Sequence, residues 1–159
     1  MNDIRNFLWL GGNGEQHSSE EVLLEIKKYT NSGGKIFIGT DSMKYATQCH
    51  FACVIAMHST NLKVAKYFYK KFKLHGDEYK NLQTKIFKEV EYSVTTAGFI
   101  RENFPNAEIE VHVDIGSTSK NETRKFIQSV RGWVLGSGYC FKSKPYSWAA
   151  SSVADWHTK

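Results

Sequence analysis

Two aspartates in this chain each close an apolar run, and that shared placement is what first suggests chemistry. The run from Lys35 to Tyr45, KIFIGTDSMKY, passes through Ile36, Phe37, Ile38, Gly39 and Thr40 and ends on Asp41. The run from Ile109 to Ser117, IEVHVDIGS, ends its apolar part on Asp114. Unbroken runs of β-branched and aromatic residues predict strands buried on both faces. If the two strands are parallel neighbours, their carboxyl ends set Asp41 and Asp114 side by side at the crevice where open α/β sheets bind ligands. Carboxylates held that close repel each other, and a divalent cation between them relieves the repulsion. Strand-end aspartates also serve in turns and caps, but two at matching places favour a metal site.

A third acid comes from helical periodicity. A helix is expected from about Glu78 to Asn103, with Asp77 as its N-cap and Pro105-Asn106 as its stop. At ~100° per residue, Leu82, Ile86, Val90, Ser93, Ala97 and Ile100 share one face. Glu89 borders that face and Glu91 projects nearly opposite. A glutamate on a packing face is costly to bury unless paired or metal-bound, so Glu89 is the candidate third ligand. A last helix, Ser147 to Thr158 with Ser147 as N-cap, carries Asp155 and, two residues on, His157. Its first turns are slim (Ala149, Ala150, Ser151, Ser152) and can approach a sheet closely. The plainer use of Asp155 is an i,i+4 pair with Lys159. His157, and less so His112, could shuttle a proton, although a histidine near carboxylates is more often a hydrogen-bond partner.

The elements that must position these residues follow from the remaining pattern. Residues 1–17 read as an arm, with an apolar patch from Phe7 to Leu10 and a flexible turn at Gly11, Gly12 and Gly14. Ser18 or Ser19 with Glu21 opens a helix in the manner of a capping box, carrying Val22, Leu23, Ile26 and Tyr29 as its apolar stripe. Asn31-Ser32-Gly33-Gly34 ends that helix and leads into the Asp41 strand. Cys49 to Met57 forms a hairpin with the Asp41 strand, and Lys63 to Lys73 a third strand. Beyond Asp114, a polar loop from Gly116 to Lys120 precedes a helix from Asn121 to about Leu135, and Tyr139 to Phe141 makes a short fifth strand. No repeat or linker interrupts the 159 residues, so one domain is expected.

Composition is that of a soluble globular chain, 41% hydrophobic and 23% charged. No apolar run approaches the ~20 residues of a membrane span, and MNDIRNFLWLGG lacks the pattern of a secretory signal, so a cytoplasmic protein is expected. The three cysteines read as core hydrophobes, Cys49 and Cys53 being too far apart along a strand to share a metal. The net charge of +5 allows an acidic partner. Lysines 63, 66, 70, 71, 73, 80, 85 and 88 interleave with Tyr67, Phe68, Tyr69 and Phe72, which suits a nucleic-acid face, with Lys66, Lys70, Lys71 and Lys73 as contacts. A solvated edge strand guarded by lysines is an equally good account of the same residues.

The order is three antiparallel strands, helix, strand, helix, strand, helix, and it resembles the ribonuclease H-like fold with its four-carboxylate site. More narrowly, IFIGTDS, KIFKEVEYS, VHVDIGS, VRGWVLGSGY and KPYSWAASSVADWHTK resemble the YkuK-type family of ribonuclease H-like proteins, in register from about Ser18 onward. The resemblance implies an α/β fold with a five-stranded mixed sheet: strands one to three antiparallel, strands four and five parallel to strand one, helices flanking, and an extra N-terminal helix. It implies Asp41, Glu89, Asp114 and Asp155 as ligands of two Mg2+ or Mn2+ ions. It further implies a nuclease site for RNA, DNA or a hybrid, without naming which. Such a site hydrolyses phosphodiesters with two ions about 4 Å apart, one activating water and one steadying the leaving oxygen.

Two rivals share these residues. DIGSTS, Asp114 to Ser119, resembles the phosphate-binding turn of actin-like ATPases and sugar kinases, but those proteins have two lobes and this chain is too short for both. The other is a nucleic-acid-binding module that keeps the fold without turnover.

Overall fold

Seven strands form one sheet, in the order β2-β1-β5-β4-β3-β6-β7. In chain order the elements are β1 (Leu8–Gly11), β2 (Gln16–Ser18), α1 (Ser19–Asn31), β3 (Lys35–Lys44), β4 (Gln48–His58), β5 (Lys66–His75) and α2 (Leu82–Asn103). They continue with β6 (Glu108–His112), α3 (Asn121–Gly136), β7 (Cys140–Lys142), a π-helical segment Ala149–Ala154 and α4 (Asp155–Thr158). The computed structural model describes residues 3–62, 64–116 and 121–159, the side chains of residues 121–123 excepted. Lys63 and the last three residues of the DIGSTS turn, 117–119, lie outside the described residues. Among the described residues no helix is long and apolar enough to cross a membrane.

β3, β4 and β5 form an antiparallel meander, and β6 and β7 add parallel to β3, as the sequence pattern predicts. The sheet is wider than the five strands expected, because the N-terminal arm is a hairpin. β1 pairs antiparallel with β2 and with β5. Trp9 explains why: its side chain is fully buried and its indole N–H donates to Ser19 Oγ at 3.0 Å. Truncating a buried tryptophan removes ~3–5 kcal/mol, so the arm is held as part of the sheet. Strands this short sit too close to the glycine turn to show an alternation in sequence.

Helix boundaries also shift at two places. α1 is capped as expected, with Ser18 accepting from the Glu21 amide and Glu21 reaching back in a capping box. α2 starts later than Asp77 would set it. Gly76–Tyr79 is a 3-10 turn, and Asn81 is the N-cap, accepting from Gln83 N at 2.7 Å. Leu82, expected on the packing face, is therefore exposed at the first turn. At the other end, Ser147 does not cap a helix: its hydroxyl meets the Ser151 hydroxyl at 2.7 Å, and the chain enters a π-helical turn. Such wide turns are frequent at functional sites. Cys49 and Cys53 are buried, whereas Cys140 is exposed on the edge strand.

Helices α1, α2 and α3 bury Val22, Ile26, Ile86, Val90, Phe126 and Val130 against one face of the sheet. The π-helical segment covers the other face, where Val54, Ala56, Tyr69 and Ala154 make a smaller core. That contact requires Gly39. A Cβ there would lie 2.6 Å from the carbonyl carbon of Ala149 and 2.9 Å from Ala150 Cα, with Ala150 N nearer still. These are backbone atoms that cannot rotate aside. Gly39→Ala is expected to cost about 1–3 kcal/mol by overpacking, read from urea denaturation. A variant as stable as the parent would show that the segment can lift off without loss.

Candidate active site

Asp41 is not the last residue of its strand. β3 runs on to Lys44, but its parallel pairing with β6 stops at Gly39 opposite His112. Asp41 and Asp114 each lie two residues past that last pair, where the two strands have parted. Alternation along β3 then assigns its side chains to two layers. Thr40 meets Ser93 of α2 at 2.8 Å, and Ser42 donates to Glu89 Oε1 in a short hydrogen bond. Asp41 points the other way and accepts from Thr158 of α4 at 3.0 Å. The opening between β3 and β6 is where groups from both layers come into electrostatic range.

Glu89 is 5% exposed, while Glu91 is exposed and pairs with Lys88 at 3.0 Å. Burial pushes the Glu89 carboxyl up to about 8; the Asp41 and Asp114 charges push the same way, and Ser42 and Lys85 oppose them. Burial likewise raises Asp41 to about 6, helped by Asp114 and Asp155 and resisted by the Thr158 hydroxyl. Asp41 thus feels Asp114 and Asp155, and Glu89 feels Asp41 and Asp114. Asp114 accepts from Ser151 Oγ and pairs with Lys144, each at 2.9 Å. Asp155 pairs with Lys159 at 2.9 Å, the i,i+4 contact that sequence allows. Among the described residues, no three carboxylates, histidines or cysteines stand as a ready-made metal cage.

The histidines are placed elsewhere. His157 stacks on Tyr69 with ring centroids 3.6 Å apart and lies 3.2 Å from the Tyr67 hydroxyl. Burial and then the Lys71 charge lower its pKa. Its contacts are tyrosines of β5, not carboxylates. His112 is 1% exposed and accepts from Ala149 N through Nδ1 at 3.1 Å, which leaves the proton on Nε2, 2.8 Å from Glu110. Nδ1 fastens the π-helical segment to β6, and the contact of Nε2 with Glu110 of the same strand holds the ring for it.

The four lysines singled out on β5 do not share a face. Lys66 pairs with Glu25 of α1 and Lys70 lies over the Phe7 ring, on the side of the larger core. Lys71 and Lys73 alternate with them and project on the side of Tyr67, Tyr69 and His157. A strand's period of two imposes that division. Ser42, Ser151, Thr158 and Lys144 were not foreseen as neighbours of the acids. Ser151 and Thr158 had a signal, each lying about one helical turn from Asp155.

A family model described as ribonuclease H-like matches residues 18–159. The chain belongs to the ribonuclease H-like family. It is also 27% identical over 175 aligned positions to the uncharacterized protein YkuK of Bacillus subtilis (strain 168), covering 97% of this chain and 98% of that protein. The family resemblance read from the five sequence motifs therefore stands, and the match begins where the N-terminal hairpin ends.

A raised carboxyl pKa has a sign in stability. The folded chain keeps protons on Asp41 and Glu89 that the unfolded chain releases near 3.8 and 4.5. Their contribution is whole below those values and is lost as pH rises through about 6 and then about 8. In chelator, the melting temperature of the protein is expected to fall between pH 5 and 8 relative to that of Glu89→Gln. Parallel curves would show that Glu89 is not strained by its burial.

Proposed function

We propose that the protein is a divalent-metal-dependent nuclease, with Asp41, Glu89, Asp114 and Asp155 holding two Mg2+ or Mn2+ ions. The observation that carries this reading is the convergence of charge where the sheet opens: beyond burial, Asp114 and Asp155 push Asp41 up, and Asp41 and Asp114 push Glu89 up. The donor set fits the ions, since hard cations take carboxylate and hydroxyl oxygens and keep waters where protein ligands are few. The lysine on Asp114 is no obstacle. Lys144 reaches Asp114 from solvent, its side chain 51% exposed, and a pair open to water on the lysine side is worth about 1 kcal/mol.

When bound, such ions supply an activated water and charge compensation for the leaving oxygen. The chain's own residues do the rest. Thr158 orients the Asp41 carboxylate, Ser42 orients Glu89, and Ser151 orients Asp114. Lys144, released from Asp114, is placed to meet a phosphate oxygen. Lys71 and Lys73 continue the basic surface on the Asp41 side of the sheet.

Asp41→Asn keeps the volume and removes the charge. Mn2+-dependent cleavage of at least one labelled RNA, DNA or hybrid is expected from the parent and none above background from this variant. Mn2+ should also raise the melting temperature of the parent at pH 8 and not that of the variant. A metal-reloaded parent that cuts none of these substrates would defeat the reading.

A second reading has its own support in Lys144 and Lys159, which neutralise two of the acids without metal. It makes the domain a binding module without turnover, and Mn2+ would then leave the melting temperature unchanged. Both readings place nucleic acid on the Asp41 side. Lys71→Glu should therefore weaken polynucleotide binding and lower its salt slope by roughly 0.7–0.9, while Lys66→Glu should not. Equal effects would return β5 to a solvated edge.

A further inference from the structure

Five aromatic side chains are exposed among the described residues: Tyr45, Phe87, Tyr146, Trp148 and Trp156. Tyr45, Tyr146 and Trp156 adjoin residues that carry or hold the carboxylates, whereas Trp148 lies on Phe37 and His112. The Tyr45 hydroxyl donates to the carbonyl of Thr158, whose own hydroxyl donates to Asp41. Trp156 follows Asp155 directly and is 75% exposed. Tyr146 is 70% exposed and lies two residues from Lys144, whose ammonium is 2.9 Å from Asp114. Trp148 packs on Phe37 at 4.9 Å and edge-on to His112 at 5.2 Å between centroids, and is 40% exposed.

Hydrophobic burial does not account for Trp156 and Tyr146, which hold most of their surface in water. Scattered exposed apolar residues need no explanation, but a concentration of flat rings around one charged cluster does. Each ring also has a cation close by in the chain: Lys144 two residues before Tyr146, and Lys159, which pairs with Asp155, three residues after Trp156. Aromatic faces alternating with lysines bind nucleic acid whose bases are unpaired, because a base offers its π-face only when it leaves a duplex stack. A paired duplex would present phosphates alone to this rim.

Resting on the nuclease reading of the acids, we infer that the substrate is a single-stranded polynucleotide whose bases stack on Trp156 and Tyr146, with Lys144 and Lys159 on its backbone. The rim then threads a strand past the carboxylates, and duplexes are bound only where they fray. Tyr45, partly packed against His50, contributes less.

The test is binding, kept apart from cleavage. Fluorescein-labelled 12-nucleotide RNA and DNA, single-stranded or annealed to a complement, are titrated with the full chain at low salt in Ca2+ and, in parallel, in EDTA. Single strands are expected to bind about tenfold or more tighter than duplexes of the same sequence. Trp156→Ala should cost single strands about tenfold and leave duplexes unchanged, and Trp156→Phe should recover most of the loss. Its high exposure makes Trp156 safe to replace, so a folded variant is expected by circular dichroism.

Duplexes bound as tightly as single strands, or single-strand binding indifferent to Trp156→Ala, would overturn the inference. Self-association in sedimentation that Trp156→Ala abolishes, without any effect on oligonucleotide binding, would overturn it by assigning the rings to an interface between copies. Mn2+-dependent cutting with no single-strand preference defeats the platform and spares the nuclease. A single-strand preference lost in Trp156→Ala, with no cutting by the parent, defeats the nuclease and spares the platform.

Discussion

The close approach of the π-helical segment to β3 at Gly39 is the contact on which the site depends. One missing side chain lets the backbone of Ala149 and Ala150 rest on the central strand. From there the chain advances through Ser151 to Asp155 and Thr158, so hydrogen bonds to both strand acids come from this one segment. His112 secures its start by accepting the Ala149 amide, and Tyr45 secures its end through the Thr158 carbonyl. A neutral His112 ring is needed for that role. A protonated His112 would lose its acceptor nitrogen, and burial, which lowers its pKa, works in the same direction as the hydrogen bond to Ala149.

Compensation of the acids follows a gradient from inside to outside. Glu89 and Asp41, the most enclosed, receive neutral hydroxyl donors from Ser42 and Thr158. Asp114, half-buried, has one hydroxyl and one ammonium, and Asp155 has an ammonium. Hydroxyls orient a carboxylate and hold it without cancelling its charge. The inner acids therefore have no ion-pair partner of their own: Lys144 and Lys159 pair with the outer acids, and Lys85 acts on Glu89 only through space. A site meant only to be stable would place an arginine among them, because breaking or omitting a partner to a buried charge is costly.

Much of this was legible in the sequence where one period ruled. The β3 run and the β6 run announced the central parallel pair, and the helical wheel separated the buried Glu89 from the exposed Glu91. What failed did so for local reasons. The N-terminal hairpin has strands of three and four residues around a glycine turn, too short for alternation to register, and its membership in the sheet is decided by Trp9 at a distance. Asp77 and Asn81 are both good caps, and the 3-10 turn at Gly76–Tyr79 decided for the second. Asp41 looked like a strand terminus because the apolar residues stop there, while backbone pairing with β4 continues to Lys44. Sequence showed where burial ends and not where hydrogen bonding does.

The same two-residue period explains why a basic strand need not be a basic surface. On β5 it turns Lys66 and Lys70 toward α1 and the arm, where Glu25 and the Phe7 ring engage them, and Lys71 and Lys73 toward the layer of α4. Only the second pair shares a side with Asp41 and with the Tyr69–His157 stack. His157, fixed between two tyrosines and a lysine, supports α4 from beneath while Trp156, its neighbour in sequence, faces water. Successive residues of one short helix thus divide the work: Asp155 toward the acids, Trp156 outward, His157 onto the sheet, Thr158 back to Asp41. An element of four residues can do this only because the π-helical turn before it is anchored at Gly39 and His112, so rigidity is supplied upstream and every position of α4 is free to carry a function.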